Sequence, residues 1–350
     1  MRLINKKSNH VLGLDIGSHT IKAICLGYDS QAVRLLGYGT APTPKQCIDL
    51  DQLKNPDILA GSIAALLRSP AYGQLLPGQL EIALPYQVTR SKIIRIPRNS
   101  PRNNLARLAS SFQNSSNVDY DIYSHKIGES QPKHNVDDIY SVRGLIKNTR
   151  RDLNKELSQI GLRARSFSCQ VDGLSRVLAG HSAGQATWLL DIGEESSRLY
   201  LLGQYGLLHD QYPIGSKKIV STLSKSFDIS THEAILLINK PGLYRGSLGQ
   251  KILSMLKPSL DGLSDAIKNT MTGHDKSSET MAAKKIITTG TIASMPGLDQ
   301  YMSKKISIPT AVIEPWTYTS VYPLKPMSKR LDPSYASAIG LAMSSGAIKT

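Results

Sequence analysis

The feature that most constrains this chain is a repeat of itself. LGLDIGSHTIKAICL (12–26) and WLLDIGEESSRLYLL (188–202) share one pattern: apolar residues, Asp-Ile-Gly, a short run with hydroxyl side chains, then an apolar strand. The copies lie 176 residues apart, about half of the 350-residue chain. Such self-similarity speaks to architecture before any local reading does. Apolar positions alternate about each glycine, as in a strand, a tight turn and a second strand. In the first copy these are Val11, Leu12 and Leu14 before the turn, and Ile21, Ala23, Ile24 and Leu26 after it.

A turn of this composition can hold phosphate. Glycine lets the backbone approach an anion without a Cβ in the way. Ser and Thr hydroxyls and bare backbone N–H groups then donate to phosphate oxygens. An Asp at the end of the strand can hold magnesium through the ion's water shell. Two such hairpins facing each other would grip a polyphosphate from both sides. One Asp-Ile-Gly turn alone is an ordinary β-turn, so the inference rests on the pairing. His19 is open between phosphate donor and turn residue, and Lys22 between phosphate contact and solvated strand lysine.

The rest of the chain alternates strand and helix. Residues 32–38 read as a third strand, and 51–68 have helical spacing with Leu53, Ile58, Leu59, Ile63, Leu66 and Leu67 on one side. Two extended segments ended by prolines fall between 80 and 98. A helix is expected over 100–116, then a polar stretch over 117–136 with a short strand near Tyr120 to Tyr123. Residues 137–168 read as strand, long helix stopped at Gly161, and strand. From 186 to 215 the pattern is strand, turn, strand and a further strand. Helical material over 216–283 is interrupted around 240–248. KKIITTGTIASMPGL returns to strand, turn and helix start, ISIPTAVIEPW adds a late strand, and PSYASAIGLAM a small-residue helix. Trp188 is read as core.

Composition enters where it limits function. With 40% hydrophobic and 20% charged residues the chain is of the soluble globular class, and its length calls for about two lobes. Cys25, Cys47 and Cys169 are scattered, without a CxxC pair or nearby histidines, which argues against a disulfide framework or zinc site and points to a reducing cytosol. Met1 to His10 is basic without the apolar core of a signal peptide, and no run reaches the roughly 18 apolar residues of a spanning helix. The net charge of +15 favours acidic partners or anionic surfaces. Nucleic acid is not expected, since no recognisable fold or interleaved aromatics accompany the charge. Between 85 and 165, 15 Lys and Arg stand against 7 Asp and Glu. That surplus is open between a solvated face and a surface toward a membrane or an acidic partner.

The two hairpins resemble the phosphate motifs of the actin, sugar-kinase and heat-shock-chaperone superfamily. IITTGTIASMPGL (286–298) is similar to its adenosine motif, and YASAIGLAM (335–343) to its second connecting helix, whose small residues let two helices cross closely. VDGLSRVLAG (171–180) stands where the first connecting helix belongs. Within the superfamily the chain resembles the PilM family, relatives of the division protein FtsA. The phrases LEIALPYQVTRSKIIRIPRNS, VDYDIYSHKIGE and DIYSVRGLIKNTRRDLNKELSQIGLRARSF carry that resemblance, which spans about residues 11 to 343. It implies an α/β, two-lobed actin-like fold of ribonuclease-H-like repeats with an FtsA/PilM-type small subdomain. The first-lobe core would be 1–80, completed by 166–185 and 330–350, with the basic small subdomain at 81–165. The second-lobe core would be 186–215 and 284–329, with a helical subdomain at 216–283.

The resemblance also implies a function: a cytoplasmic scaffold of the type IV pilus inner-membrane platform, serving twitching motility and held at the membrane's inner face through partners. It would capture the N-terminal peptide of a PilN-like membrane protein between the first-lobe core and the small subdomain. Other platform and motor proteins would be further partners, and homo-oligomerisation is open. ATP with magnesium would occupy the cleft. Asp15, Gly17, Ser18, His19 and Thr20 would form the first phosphate hairpin, and Asp191, Gly193, Ser196 and Ser197 the second, followed by Gly215 and Ser216. Thr289, Gly290 and Thr291 would line the adenosine side, and Asp15 and Asp191 would lie near the metal.

Departures from the family pattern predict weak or slow nucleotide use. Thr289 takes the first of two usual glycine positions, and Gly215-Ser216 replaces Gly-Gly. Ile235 and Ile238 align with a Glu-x-x-Lys pair that reaches the ribose. The first connecting helix offers no clear Glu or Gln to orient a water, Asp172 being the nearest acid, so no catalytic residue is assigned and at most a slow ATPase is expected. An FtsA-like division protein is one alternative; it would end in an amphipathic membrane helix, and only seven residues follow Met343. An active ATPase or kinase is another, which would need a catalytic Asp and a substrate pocket in the first lobe.

Overall fold

The computed structural model describes residues 9–29, 32–49, 52–97, 118–130, 137–179, 187–202, 208–277, 283–315, 321–323 and 332–343. The helix expected over 100–116 lies outside them.

β1 (His10–Ile16) and β2 (Thr20–Tyr28) pair antiparallel around the first Asp-Ile-Gly turn, and β3 (Val33–Pro42) pairs antiparallel with β2. The short β4 (Ile48–Asp49) and β5 (Gln52–Leu53) precede α1 (Pro56–Arg68). The helix starts later than its periodicity suggests, because Pro56 fits the first turn, where its missing N–H has no partner to lose. Leu53 therefore falls in β5. Helix α1 buries Leu59, Ala60, Ile63 and Leu66, while Ile58 stays 50% exposed. β6 (Tyr72–Gly73) pairs with β3, and β7 (Gln79–Leu84) returns parallel to β1.

β8 (Thr89–Pro97), β9 (Tyr120–Ser130) and β10 (Asp137–Ile146) form a separate antiparallel sheet in the order β8-β10-β9. β9 is longer than its polar sequence suggests; its 11 residues are held extended by pairing along β10. α2 (Lys147–Gln159) follows, and Gly161, at φ +77°, gives its left-handed stop. The cations of α2 are solvated, with Lys147 and Arg150 paired to Asp119 and Asp121. β11 (Ala164–Cys169) and α3 (Gln170–Ala179) lead back to the first sheet.

The second half repeats the scheme. β12 (Thr187–Ile192), β13 (Ser197–Leu202) and β14 (Leu208–Tyr212) are antiparallel neighbours. Then come α4 (Ser216–Phe227), α5 (Thr231–Asn239), α6 (Gly246–Ser277), β15 (Ile286–Gly290), α7 (Leu298–Ile306), β16 (Thr310–Val312), β17 (Val321–Pro323) and α8 (Ala336–Ala342). One sheet runs β11-β7-β1-β2-β3-β17, the other β16-β15-β12-β13-β14. Each has a hairpin at its centre, a third antiparallel strand on one side and two parallel strands on the other. The repeat seen in fifteen residues is thus a repeat of whole sheets.

Period-two alternation decides what each strand of the second sheet presents. Trp188, Leu190, Ile192, Leu199 and Leu201 enter a core shared with α4, α5, α6 and α7. Leu189, Tyr200, Leu202 and Ile287 enter the core around the first sheet. Helix α8 packs on β1, and α3 crosses α8 with almost no gap. A Cβ on Gly173 would stand 2.3 Å from the Ser337 carbonyl oxygen, and one on Gly340 would stand 1.8 Å from that of Gly173.

Candidate functional site

The two hairpin turns meet across a cleft. In the first, the Gly17 N–H donates to the Thr20 carbonyl at 2.9 Å. A Cβ on Gly17 would lie only 2.9 Å from the same oxygen. Thr43, just past β3, braces this turn: its N–H donates to the His19 carbonyl and its hydroxyl to the Gly17 carbonyl, both at 2.8 Å. The second turn is braced from behind by α4, whose first two N–H groups, of Ser216 and Lys217, donate to the Gly193 and Glu194 carbonyls at 2.9 Å. These helix N-terminal donors are thereby spent on the hairpin instead of facing a ligand.

Most of the expected nucleotide residues come together. Asp15, Gly17, Ser18, His19 and Thr20 line the cleft from the first hairpin, and Asp191, Gly193 and Ser196 from the second. Thr289, Gly290 and Thr291 line it from the end of β15 onward. Three do not reach it. Gly215 and Ser216 sit behind the second turn, where a Gly215 Cβ would be 2.2 Å from the Glu194 carbonyl oxygen. Ser197 lies in β13 on the face of Leu199 and Leu201, fully buried, and its hydroxyl donates to the Ile214 carbonyl at 2.5 Å.

On the adenosine side Gly290 is required: its φ is +106°, and a Cβ would lie 2.1 Å from the Ile192 carbonyl oxygen. Thr289 is accommodated, because the backbone there is ordinary strand paired with Asp191 and the hydroxyl donates to the Pro333 carbonyl at 3.0 Å. Ile235 and Ile238 do not line the cleft; Ile238 is core and Ile235 is 38% exposed on the outer face of α5.

The first connecting helix does carry a side-chain amide. Gln170 opens α3, lines the cleft and donates from Nε2 to Asp15 Oδ1 at 2.7 Å, which corrects the expectation from sequence. Gln170 stands one residue before the segment that resembles the family's helix. Asp172 turns the other way. It lies 2.8 Å from Arg143 Nε and accepts from the Tyr123 hydroxyl at 2.6 Å, tying α3 to the three-stranded sheet.

Opposite each cleft aspartate stands a cation. Asp15 pairs across the first hairpin with Lys22, and Asp191 across the second with Arg198. The equal offset of aspartate and cation in the two copies is the sequence signal that would have exposed Arg198. Burial lifts Asp15 above the ordinary carboxylate range, opposed first by Lys22 and then by hydrogen bonds from Gln170 and Ser337. Burial lifts Asp191 as well, opposed chiefly by Arg198. Arg198 Nη1 lies 3.5 Å from Asp191 Oδ2, and the guanidinium carbon sits 4.8 Å from the centre of the Tyr86 ring.

The turn tips also touch. His19 Nε2 lies 3.1 Å from Glu195 Oε1, and Nδ1 lies 3.6 Å from Glu194 Oε2. Lys217 holds Glu195 at 2.7 Å from behind. These contacts close the cleft to a cavity of about 80 Å³, against the roughly 300–1,000 Å³ of ordinary ligand pockets. A nucleotide needs the tips to part.

Asp15, held by Gln170, and Asp191, facing Arg198, line the same cleft, and two carboxylates so placed could hold a magnesium ion through its water shell. No cluster of three or more His, Cys, Asp or Glu that could hold a metal by side chains alone occurs among the described residues. Nor, among them, is any helix long and apolar enough to cross a membrane.

A family profile described as type IV pilus assembly protein PilM matches residues 133–346, more than half of the chain. The chain belongs to the PilM family. No curated protein matches it. Among solved structures, a PilM–PilN type IV pilus biogenesis complex is similar at 18% identity and a TM-score of 0.75, over 95% of this chain and 97% of that one. The ethanolamine utilization protein EutJ from Carboxydothermus hydrogenoformans is similar at 13% identity and 0.55, over 95% and 89%. MreB5 of Spiroplasma citri bound to ADP is similar at 10% identity and 0.53, over 95% of each chain. The fold of this PilM-family chain is therefore actin-like.

Proposed function

We propose that the chain is a cytoplasmic actin-like scaffold of the type IV pilus platform, peripheral at the inner membrane through its partners. It binds the cytoplasmic N-terminal peptide of a PilN-like membrane protein and a nucleotide, ATP or its product, in the cleft between the hairpins. The observation that carries the reading is membership in the PilM family, joined to likeness over 95% of the chain to a structure of a PilM–PilN complex. The peptide would lie between the first sheet and the three-stranded sheet, whose outer strands among the described residues, β8 and β9, are of the kind extended peptides use. The lobe boundaries given above are part of this proposal.

The test is calorimetric titration of the whole chain with that peptide, with and without nucleotide. Micromolar binding supports the scaffold, and any nucleotide dependence measures the coupling between cleft and groove. Absence of binding in both states removes the peptide function. One observation favours a second reading, slow hydrolysis: Gln170 places an amide beside Asp15 in the cleft. Phosphate release that disappears in Gln170→Ala with nucleotide binding intact would support it.

A further inference from the structure

Helix α5 is apolar on more sides than the core uses. Ala234 and Ile238 form the buried stripe expected of a surface helix. Leu236 stands on the opposite side, where such a helix ordinarily carries polar residues, and is 43% exposed. Four of the six exposed large apolar side chains among the described residues fall within this short stretch: Ile235, Leu236, Tyr244 and Leu248. Single apolar residues on a surface need no explanation, but a cluster of them marks an interaction site.

The cluster lines a groove of about 530 Å³, a size typical of occupied pockets. One wall is the α5 face of Glu233, Leu236 and Leu237, spaced as neighbours on one side of a helix. The other is the turn into α6, with Arg245 and Leu248. Its charge is one-sided. Glu233 is the one acid lining the groove among the described residues, and its carboxylate already accepts from the N–H and the hydroxyl of Ser230, at 2.9 and 2.7 Å, in the cap of α5. Lys240 and Arg245 also line the groove, both exposed, and their side chains make no ion pair or hydrogen bond among the described residues.

We infer that this groove docks an amphipathic helix of an acidic partner protein, with apolar side chains seated between Leu236 and Leu248 and carboxylates paired to Lys240 and Arg245. A helix suits walls that are themselves helical, because their backbone groups are already bonded and offer no strand edge to an extended peptide. A second copy of the chain suits it less, since a net charge of +15 sets like against like. A bilayer surface suits a protruding apolar face better than a groove between helices. The site lies on the second half of the chain and does not rest on the peptide or nucleotide readings above.

The test is fluorescence anisotropy of the full chain with a labelled helical peptide that carries leucines along one face and glutamates on its flanks. The same leucine pattern flanked by lysines is the control. The acidic peptide should bind at least about tenfold more tightly than the basic one, and Leu236→Ser or Leu248→Ser should weaken it by about tenfold, as loss of an apolar anchor does. The double change Lys240→Glu with Arg245→Glu should reverse the preference between the two peptides. All four positions are exposed, and circular dichroism checks that each variant is folded. No binding, or binding that none of these changes alters, overturns the inference. Dimerisation in the ultracentrifuge that Leu236→Ser abolishes would overturn it in favour of a second copy. Sedimentation with phosphatidylglycerol vesicles that the same change abolishes would overturn it in favour of lipid.

Discussion

The crossing of α3 and α8 makes a sharp prediction, because the same substitution should have opposite signs at two glycines. In Gly340→Ala the new Cβ would stand 1.8 Å from the Gly173 carbonyl oxygen, on a backbone that cannot swing aside as a side chain can. Reaching ordinary contact requires the helices to separate by about 1.5 Å, which strains the packing of α8 on β1; overpacking of this kind costs about 1–3 kcal/mol or somewhat more. Taking about 2.1 cal/mol/K per residue, unfolding of the whole chain as one unit turns a 2–3 kcal/mol loss into a fall of about 3–4 °C. The fall is about twice that if the first sheet and its helices unfold separately. Gly61 lies in the middle of α1 with nothing within 4 Å of its Cβ position. There alanine adds helix propensity, and Gly61→Ala should raise stability by up to about 1 kcal/mol. Scanning calorimetry and urea unfolding of both variants measure the two signs. If Gly340→Ala melts at or above the wild-type temperature, the helices have room and the close-crossing argument fails.

Arg143→Ala leaves Asp172 its hydrogen bonds from Tyr123 and the Cys169 N–H but no counter-charge. Removing one partner of a buried pair costs about 3–5 kcal/mol, the lower end being expected here, so urea unfolding should shift accordingly and β10 amides should exchange faster. The pH dependence of Asp15 has a definite sign. Its folded pKa is raised above 3.8, so the folded chain holds the proton more tightly, and the charge weakens folding at neutral pH, an effect that fades as pH falls through the folded value. Asp15→Asn, which keeps an oxygen for Gln170, should therefore melt higher than wild type at pH 7, with the gap closing on acidification; a gap that widens would contradict the sign. Burial pushes the thiols of Cys25 up to about 11 and Cys169 up to about 12, and Cys47 is also raised and fully buried. Ellman's reagent at pH 8 should modify none of the three in the native chain and all three in urea.

Much of this fold was open to reading along the chain, because a hairpin is a local object. Alternation about Gly17 and Gly193, the stop at Gly161 and the small residues of α8 each specify a backbone shape within a few residues. The repeat then tied two such objects into one architecture. Whether a hydroxyl or cation next to a turn serves the cleft was decided elsewhere. Ser196 and Ser197 are equivalent on paper, yet strand parity sends one to the cleft and the other into the second core. Gly215 and Ser216 resemble a phosphate-binding helix start, but the helix docks its N–H groups on the hairpin carbonyls. Gln170 meets Asp15 from 155 residues away, and Arg198 meets Tyr86 from the other half of the chain. The sequence by itself determined the turns, the strand order within each hairpin and the existence of a cleft between two copies. Only the tertiary structure decided which charges that cleft contains and how far it is shut, because those depend on contacts between segments that no local periodicity relates.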